Sequence, residues 1–145
     1  MGIKISRYFY GLASLISLVL GMCIYLFFRD INNMILFRWV PKHEFAETVL
    51  FQLKPSNFSY VFKYNMPDML WFLSGILLLR FIWYYRIKEQ NVYVLCFYVA
   101  GFVFEISQLS NKIPGTFDLL DLLFMGIGAF VEGLLYKKII LRSLR

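Results

Sequence analysis

Cysteine and histidine are scarce in this chain, and their scarcity argues against two kinds of site. The 145 residues include only two cysteines, Cys23 and Cys96, and one histidine, His43. Each cysteine lies within an apolar run, with no second thiol or histidine at ligand spacing, so we expect neither a disulfide framework nor a metal site. His43 stands beside Glu44 and Glu47 in a loop, a pattern too sparse to indicate a catalytic or metal centre.

Charged residues are also sparse, and the composition excludes the class of soluble globular proteins. Charged residues make up 17% of the chain, hydrophobic residues 60%, and the mean hydropathy is +0.64. A globular domain is typically about 45–50% apolar, and a chain of this length could not bury such a surplus of apolar surface. The composition therefore predicts an integral membrane protein. The net charge of +6 is then read by position, as a signal of orientation in the membrane, and we expect no nucleic-acid partner.

Four apolar runs predict an all-α protein with four transmembrane helices in a single domain, 1–145. The predicted spans are about 10–28, 67–85, 92–108 and 117–136. The first run is longer than a signal-peptide core and lacks a small-residue cleavage site, so we expect it to remain attached. Asn65, Pro67 and Asp68 have the residue types of a helix start: a cap, a first-turn proline and an early acid. Arg80 is expected to extend from the far end of that span to the interface.

A polar and aromatic segment, 29–66, separates the first two spans. Within it, Phe45, Val49, Leu50 and Leu53 recur at helical spacing, which predicts an amphipathic helix in the membrane interface. The alternative is a loop that covers the ends of the helices.

Basic residues predict the orientation of the spans. Four spans place both termini on one side of the membrane, and that side carries the larger set of basic residues: Lys4, Arg7, Arg86, Lys88, Lys137, Lys138, Arg142 and Arg145. The opposite side carries a smaller set, mostly spread through one long loop: Arg29, Arg38, Lys42, Lys54, Lys63 and Lys112. Because basic residues near span ends favour the cytoplasm, we expect both termini inside.

Polar side chains concentrate where the third span meets the fourth. Glu105 and Gln108 close one span, Asp118 and Asp121 open the next, and Asp68 begins the second span. The predicted topology places all five at the outer face of the membrane. Carboxylates inside spans are costly and usually face a bundle interior or a watery cavity. We therefore expect these residues to form one polar pocket.

The five residues have different expected roles. Glu105 and Asp121 are the candidates for catalysis, because clustered carboxylates suit general acid and base chemistry. Asp68, Gln108 and Asp118 are candidates for ligand binding. An alternative remains for Asp68 and Asp118, since an acid in the first turn stabilises a helix without doing any chemistry.

The remaining notable residues of the fourth span are expected to lie outside the pocket. Gly126 and Gly128 would let a neighbouring helix or a lipid chain approach closely. Glu132, deep in the span, is expected to pair with Arg80 or Lys137.

The order of these residues resembles the VanZ-like family of small bacterial membrane proteins. The resemblance rests on Asp68 opening a span, Glu105-x-x-Gln108, and Pro114-Gly115-Thr116-Phe117-Asp118-x-x-Asp121 with glycines beyond, and it covers about 65–133. It implies a place in the bacterial cell envelope and, from the founding members, a link to glycopeptide antibiotic resistance. The chain departs from the family by lacking a lysine and a histidine before its second helix and an asparagine in its last helix.

These patterns lead to a functional hypothesis. The protein is expected to recognise or modify an envelope lipid or a lipid-linked intermediate at the outer leaflet of the bacterial cytoplasmic membrane. The alternative is a non-catalytic assembly or resistance factor that packs against a partner protein or a second copy. A transporter or channel subunit is less favoured, because paired broken helices are missing. The sequence identifies no cofactor and leaves the question of catalysis open.

Overall fold

The computed structural model describes residues 2–28, 57–110 and 117–143, which form α-helices and no strand. The helices are α1 (Gly2–Phe28), α2 (Asn57–Ile82), α3 (Ile87–Ser107) and α4 (Leu119–Ser143), and a short 3₁₀ helix, Gln108–Ser110, follows α3. By length and composition, each of the four α-helices can cross a membrane. The predicted all-α fold is therefore confirmed for these residues, and the chain is a multi-pass membrane protein. The predicted interfacial helix lies outside the described residues.

Helix α2 is the centre of the bundle. In its apolar segment 44% of the residues are buried, whereas the corresponding shares for α1, α3 and α4 are 17%, 11% and 17%. Phe72 and Ile76 of α2 pack with Val94 of α3 and Met125 of α4. On another side, Leu73 and Leu77 pack against Tyr10 of α1. The other three helices therefore pack around α2, and much of their apolar surface is left for lipid.

Small residues bring α1 and α3 close to α2. Ser14 and Ser74 each donate from Oγ to the other's carbonyl oxygen, both at 2.9 Å. A Cβ atom on Gly21 would lie 2.6 Å from Nε1 of Trp71, and one on Gly101 would lie 2.6 Å from the Phe72 ring. Small side chains and interhelical hydrogen bonds are the usual means of helix association in lipid, where the hydrophobic effect does not drive it.

Contacts along the helices fix their relative directions. Asn65 contacts Asp121 and Arg80 contacts Glu132, so α2 and α4 run in the same direction. Helix α1 runs opposite to α2, because Arg7 reaches the carbonyl oxygen of Phe81 near the end of α2. The start of α1, the turn between α2 and α3, and the end of α4 therefore share one end of the bundle.

The start of the second helix differs from its prediction. Helix α2 begins at Asn57, and Pro67 lies inside it rather than in its first turn. Proline has no backbone N–H, so it leaves the carbonyl oxygen one turn earlier without its helical donor. Transmembrane helices tolerate this because packing with neighbours compensates for it, and Pro67 is buried here. The boundaries of α3 and α4 also differ: α3 begins at Ile87 and α4 continues to Ser143.

Candidate functional site

A cleft of about 520 Å³ lies between α2, α3 and α4. All five residues predicted to form a polar pocket line it: Asp68, Glu105, Gln108, Asp118 and Asp121. Most of the remaining lining is aromatic: Tyr60, Tyr64, Trp71, Phe72, Phe97 and Phe104. We call this feature the acidic cleft. Three separate helices supply its polar groups, so the site depends on the packing of the bundle.

Helical periodicity explains why these residues share the cleft. On α2, Tyr60, Tyr64, Asp68 and Trp71 recur at intervals of three and four, which is the spacing of one helix face. The sequence-based prediction missed the two tyrosines because it began the helix after them. Continuing the helical pattern through Pro67 would have revealed the whole stripe.

The α3 side of the cleft is centred on Glu105. This residue lies in the last turn of α3, where the negative end of the helix dipole disfavours a carboxylate. Two neutral donors offset that cost: Gln108 donates from Nε2 to Oε2 of Glu105 at 3.1 Å, and the backbone N–H of Asp118 donates to Oε1 at 3.4 Å. Glu105 and Gln108 are only 8% and 9% exposed. Their separation by three residues places the two side chains on one face, where they can contact each other.

Asp118 forms the start of α4. It precedes the first helical residue, and its Oδ1 accepts a hydrogen bond from the backbone N–H of Leu120 at 2.9 Å, which is the geometry of an N-cap. Its Oδ2 accepts from the hydroxyl group of Tyr60 at 3.3 Å, which links α2 to α4. Asp118 therefore has a structural role in addition to lining the cleft.

Asp121 occupies the first turn of α4, whereas the predicted span, 117–136, would place it just over one turn inside. The reason is that the helix begins at Leu119, two residues later than the predicted span. The helix dipole favours an acidic side chain in the first turn. Stabilisation of α4 is therefore a second possible role for Asp121. Its Oδ1 accepts a hydrogen bond from Nδ2 of Asn65 at 2.6 Å.

Asn65 contacts the cleft residue Asp121 from inside the bundle, and the sequence did not predict this role. It was predicted to cap a helix, but it lies inside α2 and is 0% exposed. A carboxylate accepts hydrogen bonds and cannot donate them, so the group of Asn65 that contacts Asp121 must be its amide nitrogen. This contact fixes the orientation of the Asn65 amide. Its Oδ1 then has no hydrogen-bond partner within the described part of the chain.

A second polar cluster lies about 16 Å further along α4, given the rise of 1.5 Å per residue. Arg80 donates from Nε to Oε1 of Glu132 at 2.8 Å, and the hydroxyl group of Tyr98 donates to Oε2 at 2.7 Å. Nη1 of Arg80 also donates to the amide oxygens of Gln90 and Asn91 at 3.1 and 2.7 Å. We call these residues the Arg80 network. The pairing of Glu132 with Arg80 is confirmed.

The prediction that Arg80 extends to the interface is wrong. The residue is 6% exposed, and its guanidinium carbon lies 3.7 Å from the centroid of the Tyr136 ring. Glu132 is 1% exposed. A single buried guanidinium group can satisfy a carboxylate, two amides and an aromatic face together, which keeps Arg80 inside the bundle.

Gly126 and Gly128 have different surroundings. A Cβ atom on Gly128 would lie 3.5 Å from Met69, so this glycine faces α2. A Cβ atom on Gly126 would meet nothing within 4 Å. Helix α2 therefore lies beside Gly128, but at an ordinary van der Waals distance that would also admit an alanine.

The chemistry of the acidic cleft is that of an acceptor site. In the described residues, its lining includes four carboxylates and no lysine, arginine or histidine. No group of three or more His, Cys, Asp or Glu residues in the described part is arranged to hold a metal ion. The lining therefore suits ligands that donate hydrogen bonds, such as hydroxyl, amine and ammonium groups.

Comparisons with protein-family models, curated proteins and solved structures find no match to this chain. The likeness to the VanZ-like family therefore rests only on the order of the residues from Asp68 to the glycines beyond Asp121, and it stays a prediction.

Proposed function

We propose that the protein binds the polar headgroup of an envelope lipid or lipid-linked intermediate in the acidic cleft. The observation that carries this proposal is the meeting of five polar side chains from three helices in one cleft whose other walls are mostly aromatic. Amphiphiles have the matching combination of a polar group and an apolar body. The volume of about 520 Å³ also lies within the range of about 300–1,000 Å³ that is usual for small-molecule sites.

The position of the cleft supports a ligand that comes from the bilayer. Tyr60, Tyr64 and Phe104 line it and are 49%, 39% and 56% exposed, so the cleft reaches the surface between α2 and α3. All three lie within segments apolar enough to cross a membrane. A headgroup could therefore enter the cleft while its acyl chain remains beside the two helices.

The orientation that we propose has both termini in the cytoplasm of a bacterium, which would place the acidic cleft at the outer leaflet. The distribution of basic residues supports this orientation, and the resemblance to the VanZ-like family supports the place in a bacterial envelope. It is tested by labelling single cysteines from outside the cell. Substituted Lys42 or Ser56 should react with an impermeant reagent, and substituted Lys88 or Arg142 should not. The reverse pattern would place the cleft at the inner leaflet.

A second candidate function, a non-catalytic assembly factor, is favoured by a different observation. Asp118 caps α4 and Asp121 lies in its first turn, so two of the acids already stabilise a helix. In that reading, the cleft would receive a side chain of a partner protein. Glu105 distinguishes the two candidate functions. It lies at the C-terminal end of α3, where the helix dipole does not stabilise an acidic side chain, so a purely structural role explains it less well.

The proposed function is tested in a bacterial strain whose envelope phenotype, such as survival of a glycopeptide antibiotic, depends on this protein. Glu105→Gln and Asp121→Asn retain size and most hydrogen bonding but remove charge, and each should abolish the phenotype at unchanged protein level. Glu89→Gln changes an exposed acid at the other end of α3 and should leave the phenotype intact. Activity that survives in both cleft variants would refute the proposal.

A further inference from the structure

The partners of the cleft carboxylates define which ligand they could take. Glu105 accepts hydrogen bonds from the Gln108 amide and the Asp118 backbone, and Asp118 accepts from the Tyr60 hydroxyl group and the Leu120 backbone. All four donors are neutral. Within the described residues, no cationic side chain pairs with either carboxylate.

The Arg80 network shows how the same bundle treats a carboxylate that has a purely structural role. Glu132 is buried to a similar degree as Glu105, and it is neutralised by a guanidinium group at 2.8 Å. A buried carboxylate without a cation is costly, and the cost falls when a positive charge approaches. The contrast within one molecule indicates that the charge at Glu105 is kept for a positive group that is not among the described residues, and a bound ligand can supply it.

Asn65 provides independent support for a donor at this site. The residue is fully buried against Asp121, and its Oδ1 has no hydrogen-bond partner in the described part of the chain. A buried amide oxygen without a donor costs free energy. Asn65 does not itself line the cleft, so a donor group bound beside Asp121 would satisfy this oxygen through a water molecule. An amide oxygen cannot form a hydrogen bond with the oxygen atoms of an ionised phosphate or carboxylate group, because all of them are acceptors.

The aromatic walls suit a cation rather than a neutral donor. The rings of Tyr60 and Tyr64 lie 4.9 Å apart, and Trp71 lies on the same face of α2. The faces of aromatic rings attract cations, and cages of such rings recognise ammonium groups. The Tyr64 ring already has the ammonium group of Lys63 at 5.3 Å from its centroid. Metal ions are a poorer match, because the described acids do not form a group that could hold one.

From these observations we infer that the ligand of the acidic cleft is a membrane amphiphile with a cationic ammonium headgroup. This inference rests on the proposed function. The ammonium group lies between the Glu105 carboxylate and the aromatic rings of α2, and the alkyl chain leaves the cleft between α2 and α3. A lipid with a primary amine in its headgroup has this chemistry.

The test uses tryptophan fluorescence in micelles of dodecyl maltoside. The chain has three tryptophans, and Trp39→Phe with Trp83→Phe leaves Trp71, in the wall of the cleft, as the sole reporter. Four probes are titrated: dodecylammonium, dodecanol, dodecyl phosphate and the water-soluble butylammonium ion. We expect dodecylammonium to bind at least about tenfold more tightly than the other three.

Two cleft variants and one control locate the binding. Glu105→Gln should weaken dodecylammonium binding by about tenfold or more, and Asp68→Asn, on the opposite wall, should weaken it in the same direction. Glu89→Gln removes one exposed charge from the same helix as Glu105 and should leave the affinity for dodecylammonium unchanged. An equal loss in Glu105→Gln and Glu89→Gln would overturn the inference, because it would show general attraction to the protein surface.

Other outcomes separate the inference from the proposed function. Binding of dodecanol or dodecyl phosphate as tight as that of dodecylammonium would overturn the cationic headgroup but leave a lipid-binding cleft. Equal affinity for butylammonium would overturn the assignment to an amphiphile. A Trp71 signal that responds to none of the probes would refute both the inference and the proposed function.

Discussion

The two polar clusters of this bundle place a buried carboxylate in opposite settings. Glu132 accepts two hydrogen bonds shorter than 2.9 Å, one of them from the Arg80 guanidinium group. Glu105 accepts two longer ones, at 3.1 and 3.4 Å, from neutral donors. The first carboxylate closes a network in which charge is balanced, while the second lines a cleft of about 520 Å³. A short, charge-balanced contact indicates structure, and a long contact with neutral donors beside a cavity indicates a binding site.

The largest effect is expected when the Arg80 network is broken. Arg80→Met or Glu132→Gln leaves one member of a buried ion pair without its partner, and such changes cost about 3–5 kcal/mol. The free energy of unfolding, measured by titrating micelles of a mild detergent with sodium dodecyl sulfate, should fall by that amount.

A double variant sharpens this prediction. Arg80→Met with Glu132→Met replaces both charges by apolar groups of similar size, so it should lose less stability than the sum of the two single changes. Losses that simply add would show that Arg80 and Glu132 do not act as a pair.

A smaller effect is expected at Asn65, which connects the core to the cleft. Asn65→Leu removes the hydrogen bond of 2.6 Å to Asp121 and should lower the free energy of unfolding by about 1.5–3 kcal/mol, the usual range for hydrogen bonds to charged groups. The same titration measures it. Asp121→Asn in the Asn65→Leu background should then have less effect than it has alone. Independent effects of the two changes would argue against the contact.

A still smaller effect is expected at Glu105, and it separates the two clusters most clearly. Glu105→Gln keeps an oxygen to accept from the Asp118 backbone, so stability should change by less than about 1 kcal/mol. The affinity for dodecylammonium should nevertheless fall by about tenfold or more. If Glu105→Gln destabilises the protein as much as Glu132→Gln does, Glu105 belongs to the structure and the contrast between the clusters fails.

The smallest effect is expected at Asp118. Asparagine is as good an N-cap as aspartate, and its amide nitrogen can still donate to the hydroxyl oxygen of Tyr60. Asp118→Asn therefore loses mainly the favourable interaction with the helix dipole, about 0.3–1 kcal/mol. Asp118→Ala also removes the cap and should cost more. Circular dichroism during thermal unfolding in detergent can rank the two variants. Equal losses would show that the cap geometry contributes little.

The fold was largely predictable from sequence because it depends on long apolar runs. Four runs of spanning length determine four helices whatever the details of packing. Helix ends were less predictable: Pro67 is typical of a first turn, yet burial against neighbouring helices keeps it inside α2. Nothing in the local sequence reveals that compensation.

The residues of the cleft were predictable where charge made them conspicuous. Carboxylates are so costly in a membrane that Glu105 and Asp121 stood out without any knowledge of contacts. Asn65 and the tyrosines of α2 were missed because their role depends on a helix that continues through a proline. Arg80 was placed wrongly, since snorkelling and burial in an ion pair look alike in sequence and only the position of Glu132 on a packed neighbour decides between them.

The most direct test of the central claim is a crystal structure of the protein grown from a lipid phase that contains amine-bearing lipids. The account predicts elongated density in the acidic cleft, with its polar end between Glu105 and the rings of Tyr60 and Tyr64, and an Arg80–Glu132 pair with no such density. The contradicting result would be a cleft filled by the protein itself, with a lysine of segment 29–56 or 111–116 paired to Glu105. The two clusters would then be alike, and both would be structural.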